Sequence, residues 1–317
     1  MLNSIARRTF VARWTWFGFL LGCLFIGASG CSIKKMGVNK LGDALAGGGT
    51  AFTSDDDPEL VKAAVPFSLK LMESLLNESP RHRGLLFATA SGFTQYAYAF
   101  VQQDADELED KDLEAATAMR ARAKRLFIRA RNYGLRGLSL RQPDFEKALR
   151  TNPKSAVRFT KKVDVPLLYW TAASWAAAIS LSKDNPQLVS EQPIIEALID
   201  RALELDESFS HGAIHSFLIT YEMSRQGAAG DPVARAKRHL DRALELSGGN
   251  EASPLIAYAE TVSVGRQNVK EFDALLQRAL AIDADAHPES KLVNLVMQRR
   301  ARWLVTQREK LFLVTEK

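Results

Sequence analysis

"RALELD" at residues 201–206, "RALELS" at 242–247 and "RALAID" at 278–283 are near copies of one motif, set 41 and 36 residues apart. Each lies at the end of an apolar triad spaced i, i+4, i+7: Ile195, Ile199, Ala202; Ala236, Leu240, Ala243; Phe272, Leu276, Ala279. On a helix that spacing puts all three side chains on one face, and the small last residue lets a neighbouring helix come close. Two further triads lie upstream: Ala123, Phe127, Ala130, and a degenerate one at Phe67, Leu71, Ser74, with Pro80 shortly after. Recurrence at this interval is the mark of helix-pair repeats of the tetratricopeptide type. Such pairs cannot bury their faces alone and must stack. The Trp, Gly and Tyr expected in the first helix of such a pair are mostly missing. No segment shows sustained apolar–polar alternation between turn signals, so no sheet is expected. The fold expected is therefore all-α, a superhelix of degenerate tetratricopeptide-like helix pairs over residues 55–317.

The N-terminus has a different character. Arg7, Arg8 and Arg13 precede a run of thirteen residues, Trp14 to Ile26, that is largely apolar; Ala28-Ser29-Gly30 and Cys31 follow. The run has the length of an export-signal core and is too short to span a bilayer stably. An apolar run, a small triplet and a cysteine in that order match the bacterial lipobox. Residues 1–30 read as a signal that is removed, and Cys31 as the acylated first residue of the mature chain. Its acyl chains would hold the protein to a membrane without a transmembrane helix. Ser32, rather than Asp, at the next position favours the outer membrane under Gram-negative sorting logic. Residues 31–54, rich in Gly, Ser and Asp, read as a flexible tether. Asp55, Asp56 and Asp57 ahead of Pro58 read as a helix start, since a carboxylate there satisfies free N–H groups and complements the dipole.

The formal net charge of +5 includes the three arginines of the signal, so the mature chain carries +2. That near-neutrality argues against a nucleic-acid partner. Of the two cysteines, Cys23 leaves with the signal and Cys31 is acylated, so no disulfide framework is expected. Catalytic patterns are thin. "HGAIH", with His211 and His215, has ligand spacing but lacks the glutamate of a zinc protease helix. Gly47-Gly48-Gly49 lacks the Lys-Ser/Thr that a phosphate loop requires, and there is no serine elbow. The expectation is no enzyme, no metal and no cofactor. The basic run from Arg120 to Arg141 reads as the solvated side of a repeat helix, open to an acidic partner or anionic lipid.

Two segments are unusually apolar. "SGFTQYAYAFVQ" carries Phe93, Gln95, Tyr96, Tyr98 and Phe100, and "DVPLLYWTAASWAAAISLS" carries Tyr169, Trp170 and Trp175 among alanines and hydroxyls. Helices apolar nearly all round are either core or the walls of a cavity. Phe93, Gln95, Tyr96, Tyr169, Trp170, Trp175 and, on the next unit, His215 are the candidates for an apolar ligand site.

These same blocks, with "SDDDPELVKAAVPFSLKLMESLLNESPRHRGLLFATA" ahead of them and "RALELSGGNEASPLIAYAETVSV" after, resemble the T component of tripartite ATP-independent periplasmic (TRAP) transporters, from about Ser54 to about Phe312. The resemblance implies a periplasmic lipoprotein of tetratricopeptide-like repeats that forms homotrimers and associates with the solute-binding P component. It also implies a hydrophobic pore in each protomer for an apolar or amphipathic ligand, and it brings no catalytic residues. The alternative from another class is a repeat scaffold for outer-membrane or cell-wall assemblies, with no small ligand.

Overall fold

The computed structural model describes residues 37–45, 47 and 52–313, and among these there is no β-strand. The main helices are α1 (37–45), α2 (Pro58–Glu78), α3 (Arg83–Tyr96), α4 (Leu113–Ser139), α5 (Phe145–Thr151), α6 (Val165–Ser180), α7 (Gln192–Leu205), α8 (Ala213–Glu222), α9 (Pro232–Leu246), α10 (Ser253–Tyr258), α11 (Val269–Leu280) and α12 (Lys291–Thr306). π-Helical turns at Ala97–Gln102 and Ala259–Ser263 prolong α3 and α10, and Gln103–Leu108 carries the first of these rods further. Local chemistry explains the starts. The Asp57 carboxylate accepts hydrogen bonds from the amides of Glu59 and Leu60, both at 3.0 Å, with Pro58 in the first turn. Asp112, Asp231 and Asn268 cap α4, α9 and α11 in the same way.

The repeat triads set the packing. Ala123, Phe127, Ala130, Ile195, Ile199, Ala202, Ala236, Phe272 and Ala279 have no exposed surface, and Leu240, Ala243 and Leu276 nearly none. Consecutive helices pack on one another, α3 on α4, α6 on α7, α8 on α9 and α10 on α11, and each pair packs on the next. Close approach is built in between α4 and α6. A Cβ at Gly134 would lie 2.1 Å from the Thr171 hydroxyl and one at Gly137 2.7 Å from a Leu167 methyl.

The degenerate triad behaves differently. Phe67 is 74 % exposed and Ser74 is exposed, because α2 buries Val61, Leu69, Met72, Leu75 and Leu76 instead. The register of α2 follows its own apolar stripe and the buried Glu73, which takes paired hydrogen bonds from Arg129 of α4.

The segment expected to be a tether also departs from that reading. Helix α1 docks on the turn between α2 and α3: Ser79 Oγ donates to Asn39 Oδ1 at 2.7 Å, and the His82 ring lies 3.1 Å from the Asn39 carbonyl. Val38 and Leu45 pack on the cluster of Met72, Leu75 and Leu85, and a Cβ at Gly42 would come within 2.9 Å of the His82 ring and of a Leu85 methyl. Cys31 and the signal lie outside the described residues.

The two ends of the array meet. Helix α12 packs on α2, and Val296 and Leu292 share a core with Val61, Phe93 and Phe100. A belt of ion pairs runs across this seam. Arg299 donates to Asp104 and Glu107, each at 2.8 Å, and Arg300 to Asp106 at 2.9 Å and to Glu260. Lys310 pairs with Asp110, and Lys291 lies 3.4 Å from Asp56. The helix pairs thus close on themselves.

Candidate functional site

The residues expected to line an apolar site separate into core and wall. Phe93 is 4 % exposed, stacked on Tyr133 and covered by Arg129. Tyr96 is buried and its hydroxyl accepts from Arg122 at 3.3 Å. Trp175 has no exposed surface; its indole N–H donates to Glu191 at 2.8 Å, and Arg131 and Arg150 stack on its ring. These three are core residues, contrary to the sequence expectation. Ring size and neighbouring alanines are shared by cores and cavities, so composition did not separate them. Gln95 is exposed, bonded weakly to the Ser91 carbonyl of its own helix at 3.4 Å. Tyr169 and Trp170 are partly exposed, in edge contact with each other, and Phe209 packs on Tyr169.

Three residues combine accessible surface with enclosure. Tyr98, on the π-helical turn after α3, keeps 36 % of its surface, yet burial, with the Glu260 carboxylate next, pushes its phenol up to about 12. Tyr169 on α6 is likewise partly exposed while burial, and then Glu251, raises its phenol above the ordinary range. Glu251, in the turn ahead of α10, is partly exposed, and burial, reinforced by Glu289, pushes its carboxyl up to about 7. Beside Tyr98 the Gln103 side chain is 1 % exposed, and its amide acts on the phenol against the rise. Sequence reasoning missed Glu251 because nothing local marks a turn carboxylate as enclosed.

The raised Glu251 carboxyl has a stability consequence. Below pH 4.5 it is protonated folded or unfolded, whereas between 4.5 and about 7 the unfolded chain gives up the proton and the fold retains it. The unfolded state binds fewer protons there, so stability falls as pH rises through that window. Glu251→Gln is expected to match wild type near pH 4 and to melt a few degrees higher at pH 8, read by thermal unfolding at both values.

His215 lines a cleft of 560 Å³ with Leu203, Glu204, Leu205, Asp206 and Glu207. Its Nδ1 lies 2.9 Å from Nδ1 of His239 on α9, and its Nε2 3.4 Å from Glu207, which Arg242 also holds. One imidazole of the pair must donate and the other accept, so the two cannot both be charged. Burial depresses both, His239 to about 4 with the His215 charge as the second cause. This pair joins α8 to α9. No group of three potential metal ligands occurs among the described residues.

Several arginines of α4 bind neighbouring elements, although most of them stay exposed. Arg120 pairs with Asp106 and Glu109, Arg129 with Glu73, and Arg131 with Trp175 and Glu191; Arg136 stacks on Tyr133. They knit α4 to its neighbours. No helix among the described residues is long and apolar enough to cross a membrane.

A protein of Treponema pallidum (strain Nichols) that carries no functional description is 29 % identical over 314 residues, spanning 92 % of this chain and 97 % of that one. The sequence pattern of the TRAP transporter T-component matches residues 54–312, from the cap of α2 to the end of the closing seam. The match takes in every helix from α2 to α12: the chain belongs to the TRAP transporter T-component family.

Proposed function

We propose that this protein is a lipid-anchored accessory of a TRAP system, facing the periplasm, that docks the solute-binding P component and passes it, or receives from it, an apolar or amphipathic ligand. The ligand's path runs past Tyr98, Tyr169 and Trp170, with Glu251 and Gln103 as its polar positions. The observation that carries this reading is accessible aromatic surface on the two apolar segments: Tyr98 keeps 36 % of its area, and Tyr169 and Trp170 are partly exposed in edge contact. An enclosed space with aromatic walls and few polar groups favours a flexible apolar chain with one polar end. Anchoring is through acylated Cys31, on the outer membrane. The protein assembles as a homotrimer.

The test is titration of the purified protein with a fluorescent fatty acid. Saturable binding is expected, and Tyr98→Gln is expected to weaken it about tenfold, the worth of about 55 Å² of lost apolar contact at ~25 cal/mol per Å². The melting transition of that variant should stay near wild type, because the ring is not close-packed. Absence of saturable binding, or unchanged affinity in Tyr98→Gln, would replace this reading with the scaffold.

A further inference from the structure

We infer that the end of the domain formed by α1, the α2–α3 turn and the 154–163 segment is a membrane-seating face that lies on anionic lipid. The inference rests on the reading of Cys31 as the acylated residue. Between Cys31 and the first described residue of α1 there are six residue steps, which span at most about 20 Å when fully extended. Because α1 is docked rather than free, the acyl chains cannot hold the domain by an arbitrary side. They hold it by the end to which Asn39 is bonded.

That end is continuous in space. Asn39 contacts Ser79 and His82 in the α2–α3 turn. One residue on, Arg83 Nη2 donates to the Val163 carbonyl and to Asp164, both at 2.8 Å. Arg201 of α7 holds the same segment through the carbonyls of Arg158 and Thr160, at 3.4 and 3.0 Å. The segment therefore belongs to a rigid face beside the exit of the chain.

The surface chemistry of this face suits a bilayer. Phe159 is 75 % exposed and Val163 56 %, the first being one of the most exposed large apolar side chains of the described domain. They are interleaved with Lys154, Arg158, Lys161 and Lys162, all exposed. Lys162 lies 3.1 Å from Asp206; Lys154, Arg158 and Lys161 make no side-chain ion pair among the described residues. This contrasts with Arg120, Arg129 and Arg131 of α4, each matched to a carboxylate. The acidic groups nearby are spoken for: Asp164 is buried beneath Arg83 and Arg141, and Asp43 faces His82 at 3.3 Å. Unmatched cations alternating with exposed apolar side chains are what an anionic interface takes up, the charges at the headgroups and Phe159 below them. Seating this end on lipid turns the opposite end of the helix array outward, free for a soluble partner.

The experiment uses the acylated protein in vesicles. With Cys23 removed and Cys31 modified, Phe159→Cys provides a single reactive thiol for an environment-sensitive dye. Phe67→Cys serves as the comparison, twelve residues or about 18 Å along α2 from the Ser79 turn. In phosphatidylethanolamine–phosphatidylglycerol vesicles the dye at 159 is expected to be several-fold less accessible to aqueous iodide than the dye at 67. In phosphatidylcholine alone that difference should shrink. Lys154→Glu, Arg158→Glu and Lys161→Glu together should expose the dye at 159 while the acyl chains keep the protein on the vesicle and circular dichroism stays helical. Equal quenching at 159 and 67 in anionic vesicles overturns the inference. If the mass of the purified protein shows no acyl chain, the anchor reading fails separately. The same dye, on that unacylated protein mixed with anionic vesicles, then tests the face alone. Salt-sensitive binding that the triple variant weakens about a hundredfold supports it, and no binding overturns it.

Discussion

Replacing Arg300 by methionine is expected to lower the stability of the domain by about 2–3 kcal/mol, the worth of charged hydrogen bonds to partly buried carboxylates. For a domain of this size that is about 5–10 °C in Tm. Arg300 is 7 % exposed and bridges three elements at the closing seam: Asp106 beyond α3, Glu260 on the π-helical turn after α10, and the Trp303 ring on its own helix, 4.2 Å away. The loss falls unequally. Asp106 keeps Arg120 at 2.8 Å, whereas Arg300 is the cation that the structure gives Glu260. The double variant Arg300→Met with Glu260→Gln should therefore recover most of the lost stability, and Arg300→Met with Asp106→Asn should recover little. A double-mutant cycle by chemical denaturation reads both couplings. Equal recovery in the two doubles would mean that the burden is not carried by Glu260. Because the seam joins the first and last helices, the single variant should also speed proteolysis near both ends of the array.

Trp175→Ala is expected to cost about 3–5 kcal/mol, the range for deleting a fully buried large aromatic side chain. The ring has no exposed surface, and its removal opens a cavity in the core formed by α6, α7 and the Leu149 region. Trp175→Phe keeps most of the volume and loses the N–H bond to Glu191, a cost of about 1–2 kcal/mol. Glu191 retains Arg150 and has Arg131 at 3.6 Å, so no charge is stranded. The comparison also separates core from wall. The folded Trp175→Phe protein should bind a lipophilic probe as wild type does. A variant with an unchanged melt and lost probe binding would place Trp175 on the ligand path instead.

Glu251 and the His215–His239 pair respond to pH in opposite senses. The histidines have depressed values, so their contribution is present above the ordinary imidazole range and is lost as pH falls from 6.5 towards about 4. Glu251 acts against stability as pH rises from 4.5 to about 7.

The sequence by itself determined the helical class, the chemistry of the α2 start and four of the five repeat triads. Those are local properties: a period of three to four residues states which face is apolar, and Asp ahead of Pro states where a helix begins. It also carried the family, because the match runs over nearly the whole domain. What it left open is what a face packs against. The triad at Phe67 has the right spacing and points outward, because α2 has a second stripe and Arg129 draws Glu73 inward. Segment 31–54 has the composition of a linker, yet α1 docks because Asn39 finds Ser79 and His82, partners forty residues and more away. Arg120, Arg129 and Arg131 look solvated in one dimension and are paired with carboxylates in three. Trp175 and Tyr98 are both rings on alanine-rich helices; only tertiary structure decided that one is packed on every side and the other faces open space. Burial is a property of pairs of elements, and no single helix encodes its partner's distance.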